Sequence, residues 1–268
     1  VRANEAVRVV EQIQAIPESA IPDRLLDEAK AIIVVPDTIK AGFMFGGRRG
    51  LGLMAVKTPQ GTWSDPVFVK LAGASFGLQA GVQSADVVLV FRNDRSLESI
   101  VNGKFTLGAD AGIAAGPVGR NAAAATDGQL KAEIWSWSRA RGLFAGVSLD
   151  GAVLQIDRDA QASIYGATTT PRMVFEGRSQ VTPPSAVVAF RDQLEESTHN
   201  ARVARGTGAG AGTEPAVAAS VPDPAVPAAQ TQGTQAPAAT SAPAASGPAP
   251  TQGFEPVGEE STRTEPLP

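Results

Sequence analysis

Glycine falls inside the apolar runs of this chain rather than between them, and that constrains the fold more than any other feature. The stretch AGFMFGGRRGLGLMAVKTPQGTWSDPVFVKLAGASFGLQAGVQSADVVLVF (Ala41–Phe91) reads as strand after strand, yet nine glycines interrupt it. The same texture returns in KFTLGADAGIAAGPVGR (Lys104–Arg120) and GLFAGVSLDGAVLQID (Gly142–Asp157). A glycine within a strand weakens it and marks a bulge, a sharp bend or the close approach of another backbone. Many such strands together predict a curved or closed sheet. These runs also hold few side chains able to make or break bonds, which argues against an enzyme.

The chain of 268 residues changes character near Gly206, beyond which eleven of its twenty prolines lie among Ala, Gly, Thr, Ser and Gln. Such a composition buries too little apolar surface to offset its ordering entropy. The reading is an N-terminal helix in 1–20, one domain in 21–200 and a disordered Pro/Ala/Gly-rich tail in 201–268. Charge follows the same boundary. The whole chain carries −4, but from Gly206 onward six acids face only Arg263, which leaves 22 basic against 21 acidic residues before it. Bulk charge therefore excludes a nucleic-acid binder, and any anion site must come from local clustering. The absence of cysteine excludes disulfides, zinc–thiolate sites and thiol catalysis. With one histidine, no transition-metal site and no cofactor is expected. No apolar run approaches the ~20 residues of a spanning helix. The chain begins with Val1, and a removed secretory signal peptide is one expectation.

Periodicity assigns the elements. Asn4–Ile16 reads as a helix ended by Pro17, and Pro22–Lys30 as a second, short one. Ile32–Val35 reads as a buried strand. GGRRG (Gly46–Gly50) reads as a turn or a bulged strand, and TPQG (Thr58–Gly61) as a turn. A strand from Val67 to about Gln83, broken by Gly73, Gly77 and Gly81, precedes another at Val87–Phe91. Asn93–Lys104 reads as a helix with Asp94 as N-cap and Gly103 as stop. Lys104–Ala115 returns to strand. Strict alternation in IWSWS (Ile134–Ser138) puts Trp135 and Trp137 on one strand face, as core or barrel wall. Asp157–Gly166 reads as a capped helix and Pro183–His199 as the last one, lined by Val187, Phe190 and Leu194. Helices, then strands, then helices imply an α+β fold: a curved antiparallel sheet or barrel-like core flanked by N- and C-terminal helices.

Several motifs invite chemistry. GASFG (Gly73–Gly77) matches a nucleophile elbow with Ser75 as nucleophile and His199 downstream. An elbow needs a helix after it, whereas LQAGVQ reads as further strand, so a Ser75 hydrolase is a remote alternative. GGRRGLG (Gly46–Gly52) lacks both the dinucleotide spacing and a following helix. DRDAQAS (Asp157–Ser163) lacks the glycine and terminal glutamate of a calcium loop. Arg48 and Arg49, with the group Arg120, Lys131, Arg139 and Arg141, are the candidates for an anion-binding surface.

The blocks Pro36–Met54, Gly61–Phe91, Phe105–Arg120 and Trp135–Gly166, in that order and spacing, resemble the SYLF lipid-binding family, also described as an actin-binding domain after its yeast members. The resemblance covers roughly Ile21–Phe190. It implies a non-enzymatic module that binds membrane lipids, phosphoinositides in eukaryotic members, and a curved sheet flanked by helices. Eukaryotic members attach SH3 or FYVE domains. This chain carries a Pro/Ala tail and looks more like the bacterial members, which are often exported. The expectation is an anionic-phospholipid binder at the periplasmic or cell-envelope face of a membrane. Arg48, Arg49, Arg120, Lys131, Arg139 and Arg141 would meet lipid phosphates. A helix carrying Val7, Val10, Ile13 and Ile16 is one candidate for shallow insertion. The alternative is a structural or protein-interaction scaffold of the envelope, with the Pro-rich tail as contact segment.

Overall fold

The architecture rests on one hairpin. Strands β1 (Ala31–Val56) and β2 (Val67–Phe91), of 26 and 25 residues, pair antiparallel along their whole lengths, from Ala31 opposite Phe91 to Met54 opposite Val67. Laid flat, such a strand would reach about 85 Å, roughly twice the width of a 200-residue domain. The hairpin must therefore bend, and its glycines show where. A Cβ on Gly52 would lie 2.3 Å from the Val34 carbonyl oxygen, and one on Gly50 would lie 2.4 Å from Val35 Cγ1. One on Gly46 would lie 2.4 Å from the Ala41 oxygen. Pairs 46/41, 50/35 and 52/34 close in sequence like a zipper, so β1 folds back on itself at about residues 42–45 and carries β2 with it. The ladder slips twice, between Val35 and Thr38 ahead of this bend and between Gly42 and Met44 within it. At the first slip Asp37 takes a left-handed φ of 46°, which a short polar side chain tolerates better than a branched one. Its N–H donates to Asp86 Oδ1 at 3.1 Å, which pins this slip to β2.

This computed structural model describes residues 1–16, 20–118, 132–140 and 143–206, with residues 43–45 and 75–81 described by backbone alone. The chain divides into a unit Val1–Thr213 and a unit Glu214–Pro268. The expected disordered tail from 207 onward lies outside the described residues.

Shorter strands complete a seven-stranded sheet. The second edge of β2 is shared: β7 (Val153–Ile156) pairs with Val69–Ala72, and β5 (Ile134–Ala140) with Asp86–Phe91. β3 (Lys104–Thr106) joins β7. The far edge of β5 takes β4 (Ile113–Ala115), in parallel, and β6 (Leu143–Gly146), antiparallel. The sheet is thus mixed through one parallel pair, and curled. Between Gly73 and Ala85, among the described residues, β2 bonds to β1 alone. The middle of the hairpin is consequently a two-stranded ribbon standing off the sheet.

The core sits where both ends of the hairpin are covered. Ala31–Val35 and Val87–Phe91 are buried residue after residue rather than alternately, so both faces are packed. Helix α1 (Arg2–Ala15) packs on β1 and on α6 (Ser185–Ala204), and α2 (Asp23–Glu28) also packs on α6. Trp63, in the connection after β1, donates its indole N–H to Thr198 Oγ1 on α6 at 2.9 Å and so ties the hairpin turn to that helix. Among the described residues no helix is long and apolar enough to cross a membrane.

Sequence expectations meet this fold unevenly. The sequence of helices, strands and helices holds, as do the turn at Thr58–Gly61 and the last helix, which buries Val187, Phe190 and Leu194 and continues to Ala204. Asp157 caps α4 (Arg158–Tyr165) by accepting from Ala160 N–H. Trp135 and Trp137 are buried, 8% and 0% exposed. Of the two readings open for GGRRG, the strand and not the turn forms. Two local readings are corrected. The segments 67–83 and 87–91 are one continuous strand. Gly73 permits close approach, whereas Gly77 and Gly81 flank the slip in the ladder opposite Met44 and Gly42. At α3 (Arg95–Asn102) Asp94 makes no side-chain cap; Asn93 Oδ1 accepts from Ser96 N–H and Oγ–H instead.

Candidate functional site: a basic cleft on the folded hairpin

The two limbs of the folded β1 border an open cleft of about 570 Å³ lined by Asp37, Ile39, Ala41, Gly47, Arg48, Arg49, Gly50 and Leu51. Adjacent residues on a strand point to opposite faces, so Arg48 and Arg49 approach it differently. Arg49 is exposed, whereas Arg48 is half-buried and sits opposite Gly73, whose missing side chain leaves room for the arginine stem. Burial pushes the Arg48 guanidinium below its ordinary value. It remains a cation, because arginine does not lose its proton in proteins.

Counter-charge is sparse in the cleft: its one lining acid, Asp37, makes no ion pair with Arg48 or Arg49 among the described residues. The ribbon, residues 38–50 and 72–85, contains Lys40, Arg48 and Arg49 and no acid. None of the three side chains makes an ion pair or hydrogen bond among the described residues. Two acids flank it. Asp86 is engaged by Arg139, and Asp37 stands at the cleft's end, its carboxylate accepting from Ser84 Oγ at 3.5 Å. Several other cations are paired: Lys70 and Arg2 with Asp157, Arg202 and Arg205 with Asp27, Arg191 with Asp65. A partly desolvated guanidinium with no partner gains most from an incoming anion.

Sequence reasoning grouped six basic residues, and the structure divides them. Arg48 and Arg49 share the cleft. Arg139 is built into the domain: its guanidinium pairs with Asp86 at 3.4 Å, donates to Gln12 on α1 and lies over the Phe144 ring at 5.6 Å. Arg120, Lys131 and Arg141 lie outside the described residues. Lys40 was missed; register places it opposite Gln83 on the same ribbon, a pairing no local pattern announces. The insertion candidate also changes. In α1, Val10 and Ile13 are 4% and 0% exposed, together with Ala6 and Val9, because that face is the helix's contact with the core. Ser75 lies mid-strand opposite Gly46, and β2 runs on to Phe91, so strand and not helix follows the serine and the elbow geometry is absent. His199 is exposed on α6.

Residues 72–197, which include half of the ribbon, β5, β7 and most of α6, match the family described as Ysc84, Las17-binding protein actin regulator. The chain belongs to this family, the SYLF family. It is 34% identical over 192 residues to LAS seventeen-binding protein 3 of Saccharomyces cerevisiae, covering 70% of this chain and 41% of that protein. An SH3 domain-containing protein of Schizosaccharomyces pombe is 38% identical over 172 residues, 63% of this chain and 39% of its own length. The human SH3 domain-containing YSC84-like protein 1 is 31% identical over 169 residues, 61% and 49% of the two chains. The SYLF chain thus spans less than half the length of these relatives.

Proposed function

We propose that this SYLF domain is a non-enzymatic module that binds anionic phospholipid at a membrane surface, with the cleft between the ribbon limbs as its headgroup site. The observation that carries the reading is that Lys40, Arg48 and Arg49, on one protruding ribbon, make no ion pair among the described residues, with Arg48 and Arg49 lining a cleft whose one acid is Asp37. Lipid phosphates supply the missing charge, and a basic side chain near an anionic surface contributes about 1 kcal/mol. An envelope membrane, in the periplasm, is the proposed location. Relatives named for binding Las17 support a second reading, a protein-interaction role for the same domain.

Co-sedimentation with vesicles of phosphatidylcholine, with and without phosphatidylglycerol, separates these. Binding is expected only with phosphatidylglycerol. The double variant Arg48→Ala/Arg49→Ala should weaken it by about 30-fold, from two such contributions. Arg172→Ala, an exposed arginine on α5 (Pro171–Phe175), should leave it unchanged. Equal, negligible binding to both vesicles removes the lipid reading and leaves the protein-interaction one.

A further inference from the structure

We infer that the ribbon is also the element that enters the bilayer, as a shallow β-wedge, an inference that rests on the lipid reading above. Ala41 stands directly opposite Val82, and Ile39 opposite Ser84, and residues opposite one another share a face. On that face Val82 is 75% and Ile39 51% exposed, the most exposed large apolar side chains of the ribbon among the described residues. Beyond them the backbone folds back over residues 43–45. These exposed apolar side chains, on a ribbon that carries Lys40, Arg48 and Arg49 and has no acid within 38–50 or 72–85, complement the boundary between acyl chains and anionic headgroups.

The occupant is a bilayer because the charge and the apolar surface occur together on one projection. A buried protein partner would have to neutralise three cations as well as cover the exposed apolar side chains. Depth follows from the backbone. Over Gly73–Ala85 the outer edge of β2 has no strand partner among the described residues, and its N–H and C=O groups need water. Unpaired backbone is excluded from hydrocarbon, so the wedge stops at the wet boundary, about 5–10 Å in. It needs no detachment of α1, whose apolar face stays in the core.

The chain has no cysteine, so single-cysteine labelling needs no background removal. Val82→Cys carrying the environment-sensitive fluorophore NBD is compared with Val181→Cys, a residue 42% exposed in the segment before α6. Vesicles contain phosphatidylglycerol, with nitroxide quenchers at a shallow acyl position. The expected result is a blue shift and quenching at position 82 and neither at 181, with Val82→Asp weakening sedimentation by about tenfold. Sedimentation of the labelled proteins without any change at position 82 overturns the wedge while the lipid reading stands. Failure of the unlabelled chain to sediment with these vesicles overturns both.

Discussion

Replacing Gly52 by alanine tests the fold-back directly. The new Cβ would stand 2.3 Å from the Val34 carbonyl oxygen and 2.9 Å from Val35 Cγ2. The oxygen lies about 1 Å too close for contact, and it belongs to a backbone paired with β2, Val34 opposite Val88, so it cannot swing aside as a side-chain end would. Relief requires the two limbs of β1 to separate. Overpacking of this kind costs about 1–3 kcal/mol, and the upper end applies where backbone meets backbone. The lost flexibility of glycine returns about 0.5–1 kcal/mol. The net loss is about 2 kcal/mol, or about 4–8 °C in Tm for a domain of this size. Gly47→Ala is the matched control on the same strand: its Cβ would meet nothing nearer than the Gly73 oxygen at 3.9 Å. There only the flexibility term remains, and Tm should rise by about 1–4 °C. Thermal unfolding followed by circular dichroism at one pH gives both values. If the two variants melt together within a degree, β1 does not fold onto itself.

Two further measurements concern buried charge. Burial pushes Lys57 down to about 8, with Arg202 adding to the effect and Asp27 opposing it, although its ammonium donates to the Leu26 and Asp27 carbonyls. An unfolded lysine titrates near 10.4, so between about pH 8 and 10 the unfolded chain holds more protons and stability should rise with pH. Burial pushes the Tyr165 hydroxyl up, so above about pH 10 the unfolded chain holds fewer protons and stability should fall. Urea unfolding across pH 7–11 should therefore show a maximum near pH 10, and Lys57→Met should flatten its rising side; a rise that survives in that variant assigns it elsewhere. Asp157 caps α4 and pairs with Arg2 and Lys70. Asp157→Asn keeps a capping oxygen and should cost about 1 kcal/mol, whereas Asp157→Ala should cost about 3 kcal/mol by urea unfolding. Equal losses would show that the charge, and not the cap, is what matters there.

The parts legible in the sequence are those fixed by local chemistry. Periodicity placed α1, α3 and α6, Pro and Gly placed the turn at Thr58–Gly61, and an aspartate before DAQASIY placed the cap of α4. The bent sheet was legible because internal glycines have one main use in a strand. What they approach was not, since the partners of Gly50 and Gly52 lie near residue 35 and sequence spacing says nothing of that meeting. The same limit explains the site. Arg48 and Arg49 stood out as neighbours, while Arg139 matched them in type but not in setting: its counter-charge, Asp86, comes from another strand. Likewise α1 displayed an amphipathic face, and only packing tells whether such a face is turned to a core or to a membrane.

One cause underlies both the fold and the proposed site. A sheet closed by adding strands hides its edges and bends within the ladder. Here curvature comes from doubling a single hairpin back on itself, which obliges its middle third to leave the sheet and forfeit neighbours on both edges. Residues there gain little by being apolar for packing, and Asp37 and Asp86 stop short of the ribbon rather than neutralising it. The glycines that make the doubling possible also strip side chains from the limbs, which leaves Arg48 reaching across bare backbone into the cleft. Removing the cations should therefore cost the domain almost nothing in stability, whereas filling the glycines should cost it both stability and the cleft.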